Sequence, residues 1–511
     1  MSRVVRPVLV VIFQVILTAT VWAAPANPIV FVTQVPQPED FATIASTFAN
    51  HMATMQAAPR GGDLYIRYTD GTLKNLTAAA GYGSSGMQGA NAIAVRDPSV
   101  SWDGSKVIFS MVVGAPNRYD YNPYRWQIYE ISNLGKNQTP LITKVARQPA
   151  GYNNVMPIYS LDDQILFISD RPRNGEVHLY PQLDEYESTP TNTGLWKLNP
   201  QSGALQLLDH APSGDFHPII DSYGRVLMTR WDHLQQDQQA ENGDYGAFTY
   251  SSESASATKI NSRREEFPEA RSAARREHNY ENLHTINHFF PWEINQDGTA
   301  HETLNHVGRH ELHEYFDRSF NNDSNLREFI SAASGRKNST SALNYFHLQE
   351  DPLNRGRYLA VNAPEFHTHS GGQLVALTAP MGMSADDIEL RHLTHPATAQ
   401  YTNSPPAGHS GFYRDPLVLL SGDFMAVHTA ETRADSNQGS RQNPSSRFDF
   451  RIKFLRQSGG YWVADSPLTA GISKSVSYYD PDVLVSYSGP LWELQPVELT
   501  PRSKPTARVS E

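Results

Sequence analysis

The sequence predicts an all-β chain folded as a β-propeller of six or seven four-stranded blades, seven being the expected count, with polar and helical insertions. Three observations predict it. A unit of roughly sixty residues recurs along the chain. Each unit carries a polar–proline step, a turn and a β-branched run in that order. The two ends of the sequence supply strands that complete one unit between them.

The repeat is plainest in four places. Asp97-Pro98 leads through Asp103-Gly104 into Val107-Ile108-Phe109, and Met156-Pro157 leads through Asp162-Asp163 into Ile165-Leu166-Phe167. His217-Pro218 leads through Tyr223-Gly224 into Val226-Leu227-Met228, and Asp415-Pro416 through Ser421-Gly422 into Phe424-Met425-Ala426. Weaker echoes begin at Asp351-Pro352 and Asp480-Pro481. Proline is expected at the start of a strand, where a missing N–H costs least. Asp-Gly or a similar pair makes the hairpin. The β-branched run that follows is a strand buried on both faces. A third strand follows in Gln127-Ile128-Tyr129-Glu130-Ile131 and in Gly194-Leu195-Trp196-Lys197-Leu198, and a shorter fourth in Pro140-Leu141-Ile142-Thr143. A sandwich needs no fixed period and a solenoid repeats over fewer residues.

The first blade begins inside the repeat. Ile29-Val30-Phe31-Val32 reads as its second strand, Asp63 to Arg67 as its third and Leu73 to Thr77 as its fourth. Val483-Leu484-Val485 and Leu491-Trp492-Glu493-Leu494 are then expected to close the ring and remove the free edge. Residues 25–500 form one propeller domain with insertions at 234–283, 308–344 and 432–447, followed by a disordered tail at 501–511. The first insertion carries Arg263, Arg264, Arg271, Arg275 and Arg276 among glutamates, as a solvated loop or an interaction arm. The second includes a helix at Asn325 to Ala333. The third is rich in Ser, Asn, Gln and Arg and reads as a mobile loop.

Residues 1–24 read as a signal peptide: Arg3 and Arg6, the apolar run Val8 to Val21, then Ala23, Ala24 and Ala26. That run is too short to span a bilayer comfortably. The mature chain is therefore expected to be periplasmic or secreted and not membrane-spanning. There is no cysteine. That excludes disulfides, thiolate zinc, iron–sulfur clusters and a covalently attached c-type haem. The net charge is −11, two units more negative once Arg3 and Arg6 are lost. Nucleic acid is not an expected partner for such a surface.

Chemistry is expected at the mouth of the central channel. His367 and His369 lie two apart, so in an extended segment both imidazoles share a face. His310 and His313 would be neighbours on a helix, and His217 opens an inner strand. A divalent metal could take two or three of these with a carboxylate. The same residues could equally be polar channel lining. Arg171, Arg230, Trp231, Asp232 and His233 follow second strands and could grip a ligand, or serve as hydrogen-bonded blade corners. No nucleophile elbow, phosphate loop, dinucleotide fingerprint or His-Glu-x-x-His helix is present.

The repeat, with Phe167-Ile168-Ser169-Asp170-Arg171 and Trp292-Glu293-Ile294-Asn295-Gln296-Asp297-Gly298, resembles the TolB-type propeller repeat of periplasmic proteins. Five longer strings resemble proteins related to the hydrazine synthase alpha subunit. They are Pro59 to Leu64, Gly224 to His233, Asn305 to Leu312, Thr368 to Val375 and Leu491 to Glu498. The likeness implies shared architecture and location. Hydrazine synthesis is not implied, because that enzyme carries c-type haems and this chain has no cysteine to attach one. The expected function is binding of a partner protein or ligand by an exported scaffold, without catalysis. The alternative is a metal-dependent enzyme, such as a polysaccharide lyase. Oligogalacturonate lyases are similar in placing channel histidines around a divalent metal on a TolB-type scaffold.

Overall fold

The run after each turn becomes the second strand of a blade, and burial follows from its composition. Val107–Val113, Ile165–Ser169 and Phe424–Thr429 are buried along almost their whole length, because each is covered by a neighbouring blade on either face. The computed structural model describes residues 24–38, 58–120, 123–171, 194–209, 211, 214–233, 247–250, 259–262, 287–307, 338, 342, 344–364, 367–480 and 482–508. The expected signal peptide, the helix at Asn325 to Ala333 and most of the first two insertions lie outside them. Within 234–283 the described part is an antiparallel pair, Ala247–Tyr250 with Lys259–Ser262.

Six four-stranded antiparallel sheets are arranged as blades of a propeller. Their innermost strands are Ile93–Val100, Asn154–Tyr159, Asp215–Ile220, Phe346–Glu350, Phe412–Val418 and Trp492–Glu498. Each touches the next, and the last touches the first, so the ring is closed. The closing blade is built from both chain ends, as expected: Trp492–Glu498 pairs with Ile29–Gln34, which pairs with Leu64–Arg67 and then Leu73–Asn75. Of the two counts the repeat allowed, the described residues give six. Ser473–Asp480 and Val483–Pro490 form a hairpin beside the sixth blade, extended by Gly86–Met87. Val483 to Val485 therefore do not close the ring.

Two segments expected to be loose are held. Residues 432–447 fold around buried Asp435, whose carboxylate accepts from Ser446 Oγ and from the backbone N–H groups of Ser436 and Arg447. Residues 501–508, expected as a disordered tail, run over the hairpin turns of successive blades. Arg502 N–H donates to Trp102 O at 2.7 Å and its guanidinium stacks on the Trp102 ring. Lys504 Nζ reaches Asp163 at 2.6 Å, and Arg508 reaches Met381. Glycine is required where this strap passes. Gly224 has φ +85°, and a Cβ there would lie 2.2 Å from Thr506 O.

Trp492 anchors the closure. It is fully buried, packs against Phe450 and His369, and donates from Nε1 to Phe448 O at 2.9 Å. Trp492→Ala is expected to cost about 3–5 kcal/mol in urea denaturation. A loss under about 1 kcal/mol would show that the closing strand is not the keystone of the ring.

Candidate functional site at the channel floor

Every innermost strand carries the same irregularity. Its pairing register slips by one residue at Asp97, Met156, His217, His347, Asp415 and Gln495 in turn. All six residues have positive φ, between 47° and 56°. Such a bulge leaves one residue unpaired and re-aims its side chain. Left-handed backbone at a non-glycine residue costs about 1–2 kcal/mol. Six occurrences at one position mark a built feature.

The strain is offset by bonds between adjacent blades. Met156 N–H donates to Asp97 Oδ2 at 3.2 Å, and His217 N–H to Met156 Sδ at 3.0 Å. Gln495 N–H donates to Asp415 Oδ2 at 3.2 Å, and Asp97 N–H to Gln495 Oε1 at 2.8 Å. Gln495 Nε2 returns a bond of 2.6 Å to Asp97 Oδ1. Each side chain thus caps the backbone of the next bulge. Beneath the ring Arg96 pairs with Asp97 at 2.7 Å and Arg414 with Asp415 at 3.0 Å, so both carboxylates are neutralised within the protein. Burial alone would raise the Asp415 carboxyl. Arg414 and the His347 ring outweigh it and hold Asp415 well below the ordinary carboxylate range.

His217 and His347 depart from this pattern. Their rings lie 4.5 Å apart, centroid to centroid. His347 is engaged on both sides, with Nδ1 2.7 Å from Asp415 Oδ1 and Nε2 3.1 Å from Ser370 Oγ. The Nδ1 approach is close but poorly aligned for a hydrogen bond, so the contact is chiefly electrostatic. Serine, imidazole and carboxylate in this order resemble a nucleophile relay. Two facts argue against that use. Ser370 is fully buried, and the N–H groups of Gly371 and Gly372 are already bonded to Thr368 O and Tyr413 O, which leaves that pair unavailable to a developing oxyanion. The arrangement clamps His347 in place. His217, by contrast, has both ring nitrogens buried and without a hydrogen-bond partner.

Above this floor opens a cavity of about 490 Å³ on the side of the hairpin turns. Its wall begins with Pro98, Pro157, Pro218, Pro416 and Pro496, each following a bulge residue; Leu348 takes that place in the fifth blade. Proline is tolerated here because a bulge on an edge strand needs no N–H. The proline step therefore marks the middle of an inner strand, not its start. Thr500 to Ser503 and Pro505 of the C-terminal strap form part of the rim.

Of the proposed metal ligands, His217 alone belongs to this floor. His369 is fully buried, with Nε2 2.7 Å from Asp435 Oδ2 and its ring among Phe448, Phe450 and Trp492. His367 is exposed and packs edge-on to Tyr401. The structure does not bring these three rings together. His310 and His313 lie outside the described residues. Among the described residues no group of three or more His, Asp or Glu side chains is placed to hold a metal. Arg171 and Arg230 lie at the ends of second strands, away from the hairpin face. Arg171 stacks on Trp196, while Arg230 stacks on Trp292 and pairs with Asp209 at 2.9 Å. Trp231 is buried against Phe289. Asp232 and His233 end the strand Val226–His233, paired with His288 and Asn287.

Sequence reasoning missed Asp97, Met156, His347, Asp415 and Gln495, with Arg96 and Arg414 below them. The signal was present for Asp97, Met156 and Asp415 as the residue preceding proline, read there as a strand start; Gln495 also precedes proline, in a segment expected only to close the ring. His347 precedes leucine and carries no such mark.

No family model matches the chain, and no curated protein sequence matches it. Solved structures with a similar fold include an oligogalacturonate lyase from Vibrio parahaemolyticus, 9% identical with a TM-score of 0.36, over 90% of this chain and 91% of that one. An oligogalacturonate lyase in complex with manganese is 10% identical, with a TM-score of 0.30, over 80% and 91%. A puromycin hydrolase is 11% identical, with a TM-score of 0.32, over 91% of this chain and 58% of that one. At these levels the likenesses bear on the fold alone, which the sheet order already establishes.

Two expectations follow from the site. His369→Ala leaves the Asp435 carboxylate buried without its imidazole and should cost about 3 kcal/mol in urea denaturation, whereas His367→Ala should stay within about 0.5 kcal/mol. Equal effects would contradict the environments described. The second concerns pH. Burial pushes His217 well below the ordinary imidazole value, with His347 and the two guanidiniums adding to it. The unfolded chain protonates this ring below about pH 6.5 while the folded chain does not, so its contribution is full above pH 6.5 and declines beneath it. Asp170 and Asp480, held up to about 6 by burial, act in the opposite direction below pH 6. The readout is therefore a difference. As pH falls from 6.5 to 5, His217→Phe should gain on the wild type with a slope that approaches about 1.4 kcal/mol per pH unit. Parallel stability curves would mean that His217 is not held neutral.

Proposed function

We propose that the chain is an exported, periplasmic binding protein whose channel-mouth cavity takes a ligand, or a segment of a partner protein, without turning it over. The observation that carries this reading is the convergence of all six inner strands on one cavity whose charged floor groups are already paired with one another. A general base or nucleophile needs a group free to exchange protons with the substrate. Here both floor carboxylates are bound to guanidiniums, and the His347 relay ends in a buried serine. Export is supported by the charged, apolar and small-residue order of the N-terminus. Among the described residues no helix is long and apolar enough to cross a membrane. The TolB-type and hydrazine synthase-related strings support the same architecture and location. The absence of cysteine removes covalent haem from that resemblance.

The test uses the mature protein and a variant with a blocked cavity. Ser99 lines the cavity and is only partly buried, so Ser99→Trp fills the space at small cost to the fold. Wild-type protein incubated with periplasmic extract should retain a molecule, identified by mass spectrometry, that the variant does not retain. Retention equal in both proteins would defeat the cavity reading. So would turnover of polyuronates with added manganese, seen as ultraviolet absorbance of unsaturated products, which would favour the metal-dependent lyase.

A further inference from the structure

The lining of the cavity restricts what it can hold. Asp97 and Asp415 are paired with Arg96 and Arg414. On the wall, Asp221 accepts from Arg225 at 2.9 Å. Glu350 accepts from Ser222 N–H, Ser222 Oγ and Gly356 N–H, and burial pushes its carboxyl up. Glu498 accepts from Asn27 Nδ2 and Leu420 N–H, and Arg502 lies on the Trp102 ring while donating to Val100 O. Each charged group at the surface of the cavity thus has a partner within the protein: an opposite charge for Asp97, Asp415 and Asp221, and neutral groups for Glu350, Glu498 and Arg502. At the floor a charged ligand would lose water and find no unpaired opposite charge, an outlay of several kcal/mol.

The remaining surface is mostly apolar, with the side chains of Ser99, Gln349, Thr500 and Ser503 as its polar points. The five prolines above the bulges have no N–H, so the backbone at that level offers few groups to a polar ligand. Ile158, Ile219, Ile220, Leu417, Val418 and Val497 continue the wall. Between the two rings of the floor, His217 is the one with both nitrogens unbonded. A buried polar group with no partner is rare and calls for an explanation. A neutral imidazole has one donor and one acceptor nitrogen, and both of His217's are unbonded within the protein.

We infer that the cavity binds an uncharged, largely apolar small molecule whose one polar end, an N–H, O–H or carbonyl, hydrogen-bonds to His217 once its ring turns to bring a buried nitrogen to the cavity surface. The inference rests on the cavity reading above and narrows it to a ligand class and an anchoring residue. A pocket of this volume lies in the range that encloses a drug-sized molecule. The depressed basicity of His217 keeps it an acceptor as well as a donor at neutral pH.

The probe pair is N-phenyl-1-naphthylamine, neutral with one N–H, and 1-anilinonaphthalene-8-sulfonate, which has the same rings and one negative charge. Both are titrated by fluorescence against wild-type, Ser99→Trp and His217→Phe proteins, with circular dichroism confirming the β fold. The neutral probe is expected to saturate on the wild type, to lose its binding in Ser99→Trp, and to bind about tenfold more weakly to His217→Phe. The sulfonate should bind the wild type at least about tenfold more weakly than the neutral probe. This comparison needs no variant and stands even if His217→Phe does not fold. Neutral-probe binding that survives Ser99→Trp would overturn the cavity reading itself. Binding lost in Ser99→Trp, with the sulfonate equally tight or His217→Phe unchanged, would leave the cavity standing and overturn the ligand class or the anchor. Absence of any neutral-probe binding to the wild type would overturn the ligand class.

Discussion

The left-handed bulge at one level of all six inner strands is the constraint on which the rest depends. An inner strand pairs on one side only, so the backbone around the channel would present unsatisfied groups. The bulge turns a side chain onto the neighbouring blade, where Asp97, Met156, Asp415 and Gln495 each cap a backbone N–H. Blade-to-blade packing supplies most of the burial. It is non-directional, so the caps fix the register between blades. The proline that follows removes a donor the geometry could not satisfy. Strain, capping and dry walls are one device seen three ways.

Two positions depart from that device, and they are adjacent. At His217 and His347 imidazoles stack where other blades cap. His347 is fixed by Asp415 and Ser370, while His217 retains two unbonded nitrogens. The ring is thus sealed over most of its circumference and open to hydrogen bonding at one point. A site of this form favours recognition over chemistry. Its floor carboxylates are paired internally, and the His217 imidazole is held neutral by burial.

The strings that resemble hydrazine synthase-related proteins prove to be architectural where they are described. Buried Arg225 bonds Asp221, Glu293, Asn305 and Tyr358, tying the fourth blade to the fifth and to the segment at Asn305. Buried Arg60 donates to Gly114 O, and a Cβ on Gly62 would lie 2.2 Å from Thr33 O. Ser370 and His369 hold the floor and the Asp435 loop, and Trp492 closes the ring. Where described, these residues hold the scaffold together.

The sequence by itself determined the propeller, the four-strand unit, the construction of the first blade from both ends and the exclusion of thiolate ligands and covalent c-type haem attachment. These depend on local pattern: turn residues, proline and β-branched runs act within a few positions of themselves. The tertiary structure decided the count of six described blades, because Ser473–Asp480 and Val483–Pro490 carry the same strand signature whether they make a blade or a hairpin. It also decided the site. Asp97-Pro98 and Gln495-Pro496 are nearly 400 residues apart, yet their side chains meet, and His347 has no local mark at all. Histidine spacing pointed to His367 and His369. In the fold a positive φ at both, and at Ser370 after them, breaks the extended geometry on which a shared face depended. Periodicity reports which residues lie on one face of one element. Convergence of six elements on a channel is a property of the closed ring, which no window of sequence contains.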